Sequence, residues 1–140
     1  MYMASAPGVQ KLFTVEGDSK IARIANDNFS GYSNDKIELV NKPIFKALNH
    51  IFNRLSKLDL ILFDAHHTYE ATLEYYYRCK PYLHQHSVLI FDDIHWSTGM
   101  DRAWERIKQE IEVTLTVDLY YFGLVFFKKD LEKEDFILSW

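Results

Sequence analysis

Two clusters of acidic and imidazole side chains stand directly after apolar runs of the chain. The first follows residues 58–63 and reads Asp64-Ala-His-His67, and the second follows residues 87–91 and reads Asp92-Asp-Ile-His95. Carboxylates bind hard divalent ions and accept hydrogen bonds from hydroxyl groups, whereas imidazoles exchange protons near neutral pH. These clusters therefore indicate acid–base or metal-assisted chemistry on a polar substrate.

The apolar runs before the acids are typical of buried parallel strands. Such strands are covered by helices on both faces, so their sequences are continuously apolar rather than alternating. The segment between the two runs has the length of one βαβ crossover, which makes the strands neighbours. Because the carboxyl ends of parallel strands open into one crevice, we expect Asp64, Asp92 and Asp93 to lie together.

The rest of the chain supplies the elements that would position these acids. Apolar periodicity and turn residues predict strands at 10–16 and 36–40 and helices at 19–29, 43–55, 69–83 and 98–112, with a turn at 30–35. In the first of these helices, capped by Asp18, we expect Ile21, Ile24, Ala25 and Asn28 to share the inner face. Strands at 113–118 and 123–128 are joined so briefly that an antiparallel pair is expected. The predicted fold class is α/β, with a mostly parallel sheet, helices on both faces and an antiparallel C-terminal strand.

Length and composition narrow the class of protein. The 140 residues predict a single domain over positions 1–140. The net charge of −4, from 16 basic and 20 acidic residues, argues against a nucleic-acid partner. Cys79 is the only cysteine, which suits a reducing compartment, and no apolar stretch approaches the roughly 20 residues of a membrane helix. We therefore expect a cytoplasmic protein with no membrane partner.

The order of these features resembles a class I S-adenosylmethionine-dependent methyltransferase of the small-molecule O-methyltransferase-like group. The resemblance runs from about Lys11 to Trp140. Residues 13–17 resemble the second strand of that fold, residues 60–69 the fourth, residues 88–93 the fifth, and the last strand pair its inverted hairpin. The resemblance implies a Rossmann-like sheet, S-adenosylmethionine as cofactor, and methyl transfer to a small-molecule acceptor, with a hydroxyl as the expected acceptor group.

The first strand and the Gly-rich loop of that family have no counterpart before Lys11. Residues 1–6 instead resemble the end of the helix that follows the loop. We therefore expect a partial domain that is truncated at its N-terminus and lacks part of the cofactor site. Loss of an inner strand leaves two strand edges unpaired, which favours association into a homodimer. One alternative function is thus a catalytically inactive fragment or a self-associating binding module.

The resemblance and the strand-end positions together suggest residues for the cofactor site. Glu16 ends the first predicted strand, where a carboxylate accepts two hydrogen bonds from a ribose diol. The alternative role for Glu16 is an acid at a helix N-terminus, a role that Asp18 fills more naturally. The predicted cofactor contacts also include Gly17, Asp64 and Asn41, although Asn41 stands where related folds often have an acid near the adenine.

Catalytic and metal-binding roles are predicted for the acids and histidines that follow the two apolar runs. Asp64, Asp92 and Asp93 are the ligand set for a divalent ion such as Mg²⁺, which would lower the pKa of a substrate hydroxyl. The alternative is that Asp64 and Asp93 cap the following helices or turns. The predicted catalytic residues are Asp64, Asp93 and His66, the last as general base or else as a loop hydrogen-bonding group, with His67 facing solvent. A metal-dependent hydrolase is a further alternative function.

His95 and Trp96 follow the second acidic cluster. They are candidates to line a substrate pocket. Packing of Trp96 at the rim of the core is an equal alternative.

Overall fold

A computed structural model of the protein describes residues 2–30, 35–130 and 132–138, with Tyr2 described by its backbone alone. The chain divides into two compact units, Met1–Ser56 and Lys57–Trp140. Each unit has its own sheet. The prediction of one domain over 1–140 stays a prediction, and positions 31–34 of the predicted turn lie outside the described residues.

The first unit contains a short parallel sheet with helices. Its elements are helix α1 (Tyr2–Ser5), strand β1 (Leu12–Val15), helix α2 (Ser19–Ser30), strand β2 (Ile37–Val40) and helix α3 (Ile44–Phe52). Strands β1 and β2 pair in parallel, and Val15 lies opposite Val40. Val40, Ala47 and Ile51 form the buried core of this unit, because α3 presents its apolar stripe. The level strand ends bring Glu16 and Asn41 side by side.

Helix α2 begins as predicted but buries a different face. The Asp18 carboxylate accepts hydrogen bonds from the backbone N–H groups of Lys20 and Ile21, at 2.7 and 3.2 Å, which confirms Asp18 as the cap. Ala22 is buried, whereas Ile21 and Ile24 are 53% and 62% exposed, so the predicted inner face is wrong. A helix that packs on a two-stranded sheet covers little of it, and a small side chain allows the closest approach.

The second unit is built on a mixed sheet of five strands. Its elements are strand β3 (Leu60–Phe63), helix α4 (Tyr69–Cys79), a 3₁₀ turn (Lys80–Tyr82), strand β4 (Val88–Asp92), helix α5 (Thr98–Lys108), and strands β5 (Leu115–Asp118), β6 (Phe122–Phe126) and β7 (Glu134–Ile137). The strand order is β3-β4-β6-β5-β7. Strands β3 and β4 are parallel neighbours, as are β5 and β7, whereas β6 runs antiparallel to both β4 and β5. The predicted α/β class, the parallel acid-tipped pair and the antiparallel late pair are confirmed.

Large side chains fill the core of this unit. Trp104, Tyr75 and Phe91 are almost completely buried, and the rings of Phe63 and Phe91 stack with centroids 4.8 Å apart. Strand β3 departs from the expected burial on both faces, because Leu60 and Leu62 are each 45% exposed. In the described part of the chain β3 pairs with β4 alone, so it is an edge strand with one partly open face. Among the described helices, none combines the length and the apolar character that spanning a membrane requires.

Gly123 provides a test of this core. A Cβ atom at position 123 would lie 2.7 Å from two ring atoms of Trp104 and 3.0 Å from a methyl group of Ile94. Both neighbours are buried and have no room to move, so Gly123→Ala should lower the free energy of unfolding by about 1–3 kcal/mol. Urea denaturation followed by Trp fluorescence measures the change.

Gly17→Ala is the matched control, because the described residues beyond its two chain neighbours place no heavy atom within 4 Å of the corresponding Cβ position. This control should change the unfolding free energy by less than about 0.5 kcal/mol. Equal stability of Gly123→Ala and the wild type would contradict the packing described here.

Candidate functional site

The end of β1 holds the residues predicted to contact a cofactor in the first unit. One Glu16 carboxylate oxygen accepts a 2.7 Å hydrogen bond from the Asp18 N–H, so this side chain also shapes the turn before α2. The Asn41 side-chain amide donates to the Glu16 carbonyl oxygen at 2.7 Å. Among the described residues other than its two chain neighbours, no heavy atom lies within 4 Å of a Cβ built on Gly17, so the turn has open space beside it. The structure thus brings Glu16, Gly17 and Asn41 together.

The predicted acidic cluster forms at the ends of β3 and β4 in the second unit. Phe63 lies opposite Phe91 in the parallel ladder, so Asp64 and Asp92 follow at the same level. The cap of α4 is Thr68, whose hydroxyl accepts from the Ala71 N–H, and the cap of α5 is Ser97, whose hydroxyl accepts from the Met100 N–H. The prediction that Asp64 and Asp93 cap these helices is therefore wrong, and neither carboxylate is needed at a helix N-terminus.

The backbone of this cluster is unusual. His66, His67 and Asp93 have φ angles of 61°, 26° and 53°, in the left-handed region that side chains with a Cβ rarely adopt. Each such residue costs of the order of 1–3 kcal/mol, and the surrounding structure must compensate for it. Three such residues lie at the ends of two neighbouring strands. The surrounding structure therefore holds these side chains in place despite the unfavourable backbone conformation.

The two adjacent histidines have different partners. His67 Nε2 lies 3.5 Å from Asp64 Oδ1 and 4.0 Å from Asp93 Oδ2, between the two strand ends. The Nδ1 atom of His66 instead makes a 2.5 Å hydrogen bond with the Tyr75 hydroxyl. The geometry therefore favours His67 over His66 as the imidazole of the acidic cluster, in contrast to the expectation that His67 faces solvent. The catalytic assignment of His66 stays a prediction.

The pKa of Asp92 is raised by its place in this cluster. Burial raises the pKa of Asp92 above its usual range, and the nearby negative charges of Asp64 and Asp93 add to this effect. The Asp93 N–H, which donates to Asp92 at 2.9 Å, opposes it. The net effect favours the protonated form of Asp92.

Three acids of this cluster are the predicted ligands of a divalent ion. Asp64, Asp92 and Asp93 lie near one another, and their oxygen atoms are of the type that Mg²⁺ prefers. Within residues 2–30, 35–130 and 132–138, however, no group of three or more His, Cys, Asp or Glu side chains is arranged to hold a metal ion. The described side chains thus provide no arrangement that fits the predicted ion, and Mg²⁺ with its three ligands stays a prediction.

A second ion-paired group lies at the same end of this sheet, near the carboxyl ends of β4 and β5. His95 Nδ1 is 2.6 Å from Asp101, and His95 Nε2 is 2.8 Å from Asp118. Burial lowers the pKa of His95, but the hydrogen bonds with the two carboxylates outweigh it and leave the pKa above its usual value. Asp118 was missed by the sequence analysis, although it ends strand β5 as Asp92 ends β4. Trp96 is 73% exposed, so its packing at the core rim is wrong.

The family of the chain follows from its sequence. A family model described as a methyltransferase domain matches residues 2–94, which is more than half of the chain. This matched region contains Glu16, Asn41, Asp64 and the acids after β4. The chain therefore belongs to this family of methyltransferase domains. Among curated proteins, no match was found.

Solved structures share the fold. A Klebsiella pneumoniae protein provisionally described as an O-methyltransferase is 21% identical, with a TM-score of 0.74 over 91% of this chain and 66% of that one. A Bacillus cereus O-methyltransferase in complex with SAH is 22% identical, with a TM-score of 0.65 over 83% and 62%. TomG from Streptomyces achromogenes, an O-methyltransferase of tomaymycin synthesis in complex with SAM, is 17% identical, with a TM-score of 0.72 over 91% and 66%. The present chain thus spans slightly less than two thirds of these proteins.

The acidic cluster can be tested by removing one charge. Asp64→Asn should lower the pKa of Asp92, because a neighbouring negative charge that favours the protonated form is lost. NMR titration of the Asp92 side-chain ¹³C resonance measures this shift. Asp59→Asn is the control, since Asp59 is an exposed acid at the opposite end of β3 and should leave Asp92 unchanged. An unaltered Asp92 titration in Asp64→Asn would mean that the two carboxyl groups do not interact.

Proposed function

We propose that this chain is an S-adenosylmethionine-dependent methyltransferase domain that acts on a hydroxyl group of a small molecule. The proposal combines the family of the chain with one observation, the placement of His67 between Asp64 and Asp93 at the ends of two parallel strands. A hydroxyl bound at this point would meet a proton acceptor and two negative charges that stabilise the resulting imidazolium. The metal-dependent hydrolase is not favoured, because the chain belongs to a family of methyltransferase domains.

The residues at the end of β1 fit a nucleoside cofactor. The Glu16 carboxylate is fixed by the Asp18 N–H through one oxygen, and among the described residues its other oxygen has no hydrogen-bond partner. A carboxylate held in this way can accept hydrogen bonds from a ribose diol. Asn41 is fixed by its bond to the Glu16 carbonyl, which leaves its own amide oxygen to accept from an adenine amino group. The open space at Gly17 lets a ligand approach the backbone.

Deprotonation of the acceptor is assigned to His67. When bound, S-adenosylmethionine would be held by Glu16, Gly17 and Asn41 and would supply a methyl group, with S-adenosylhomocysteine as the leaving group. The gaps of 3.5 and 4.0 Å from His67 Nε2 to Asp64 and Asp93 are longer than good hydrogen bonds, so a substrate hydroxyl has room to approach this nitrogen. The hydroxyl proton moves to this nitrogen, and the two carboxylates then neutralise the imidazolium.

Glu16 carries the cofactor prediction. Glu16→Gln should weaken binding of S-adenosylmethionine about 10- to 100-fold, the usual loss when hydrogen bonds to a charged group are removed. Isothermal titration calorimetry of the full chain measures this change. Asp18→Asn is the control, because asparagine caps a helix as well as aspartate does. An unchanged affinity in Glu16→Gln would remove Glu16 from the cofactor site.

His67 and His66 can be separated by paired variants. His67→Gln should lower the rate of S-adenosylhomocysteine release with a panel of small hydroxylated acceptors by about 10²- to 10⁴-fold, as expected when a general base is lost. His66→Gln, the matched control next to it, should retain most of the rate. The reverse ranking would restore His66 as the base. Wild-type rates in both variants would exclude both histidines.

The finer assignments follow from the same proposal. The acceptor partner is a small molecule, and the cytoplasm is the proposed location because the buried Cys79 thiol, whose pKa is raised to about 12 by burial, suits a reducing compartment. Self-association through the open edge of β3 is the proposed route to a homodimer, since Leu60 and Leu62 beside this edge are partly exposed. An inactive, self-associating binding module is the second candidate, and this edge is the observation in its favour.

A further inference from the structure

His95 connects three elements of the second unit through its two ring nitrogens. Nδ1 is 2.6 Å from Oδ1 of Asp101, in the first turn of α5. Nε2 is 2.8 Å from Oδ2 of Asp118, the last residue of β5. His95 itself belongs to the loop between β4 and α5. One side chain thus ties this loop to the start of a helix and to the end of a second strand.

The hydrogen bonds leave this ring no part in proton transfer. Ionised carboxylates only accept hydrogen bonds, so an imidazole that contacts one through each nitrogen donates from both and carries a positive charge. Asp118 is fully engaged as well. Its Oδ2 also accepts from the Trp104 indole N–H at 3.2 Å, and its Oδ1 accepts from the Tyr120 N–H at 2.8 Å. With both nitrogens occupied, His95 is neither a base nor a direct ligand of the substrate.

The same loop carries Asp93, one of the acids of the candidate catalytic cluster. Asp93 has a left-handed backbone with φ of 53°, and its carbonyl accepts from the Trp96 N–H at 3.0 Å. The next residue, Ile94, is 1% exposed and anchors the loop in the core. Between this anchor and the exposed Trp96, the salt-bridged His95 is the other fixed point. On the far side of Asp118, Tyr120 has φ of 69° and its ring lies 5.6 Å from that of His95.

We propose that His95 is a positioning residue that holds the strained Asp92–Trp96 loop, and with it the Asp93 carboxylate, in place beside His67. This inference rests on the proposed function for its catalytic consequence. The contact with Asp118 is the more important of its two bonds. Asp118 is buried and bonded to Trp104 and Tyr120, whereas the Asp101 side chain is 49% exposed.

Two conservative variants separate the bonds. In His95→Gln the amide nitrogen takes the place of Nε2 and keeps Asp118, whereas in His95→Asn it takes the place of Nδ1 and keeps only Asp101. Hydrogen–deuterium exchange of the full chain should quicken at least tenfold in His95→Asn at the amides of residues 93, 96 and 119–121. His95→Gln should stay within threefold of the wild type. Equal exchange in both variants, or no change in either, would overturn the proposal.

The catalytic part of the inference has its own readout. In His95→Asn, kcat for methyl transfer should fall about 10- to 100-fold, as small misplacements of reacting groups do, while KM for S-adenosylmethionine stays within twofold. His95→Gln should recover most of kcat. Lys80→Met is the stability control, because it breaks the ion pairs with Glu110 and Glu112 at the other end of α5 and should lower Tm without lowering kcat.

The outcomes distinguish this inference from the proposed function. A kcat loss in Lys80→Met equal to that in His95→Asn at a similar Tm would reduce His95 to a structural role and overturn its assignment. Absence of transfer by the wild-type chain with every acceptor would count against the proposed function alone. In that case the exchange experiment still decides whether His95 holds the loop through Asp118.

Discussion

The parallel pairing of β3 with β4 is the constraint on which the candidate catalytic cluster depends. Its register places Phe63 opposite Phe91, so the next residues, Asp64 and Asp92, lie at the same level. A shift by one residue would move one acid along by about 3.3 Å and turn the side chains of that strand to the opposite face. The stacked rings of Phe63 and Phe91 oppose such a shift, since burial of both requires this register. Core packing thus sets the spacing of the charged groups.

The edge of this sheet carries two imidazole–carboxylate groups of different character. Around His95 the distances to Asp101 and Asp118 are 2.6 and 2.8 Å, and the hydrogen-bonding capacity of the ring is satisfied. Around His67 the distances to Asp64 and Asp93 are 3.5 and 4.0 Å, too long for good hydrogen bonds. A satisfied group stabilises the fold, whereas an incompletely satisfied one has room for a ligand hydroxyl or water. This difference in distance separates the group proposed to hold the loop from the group proposed to react.

Apolar patterning was sufficient to predict the strands and helices that position the site. The continuous runs before Asp64 and Asp92 located β3 and β4, and their short crossover made them parallel neighbours. The predicted strand at 113–118 alternates apolar and polar residues and also ends in an acid, so its strand-end position could have identified Asp118 as a further acid at this end of the sheet. Patterning placed Ile21 and Ile24 inside, because periodicity gives the stripe of a helix but not which edge of the stripe meets the sheet.

The choice between His66 and His67 lay beyond the sequence. Neighbouring residues normally point in different directions, and the direction of each here depends on left-handed φ angles that neither side chain favours. Tyr75, nine residues further along the chain, draws His66 away through a hydrogen bond that only the packed helix α4 can provide. Backbone strain and tertiary partners together decide which imidazole reaches the acids, and neither leaves a pattern in local sequence.

The hydroxyl groups of Thr68 and Ser97 separate two tasks that acids at strand ends often combine. Because these hydroxyls cap the N-termini of α4 and α5, the neighbouring carboxylates are not needed to stabilise the helix ends. Exchange of Asp64 or Asp93 for asparagine, which also tolerates a left-handed backbone, would therefore leave both helix caps intact. Sequence variation at these two acids is thus uncoupled from the folding of α4 and α5.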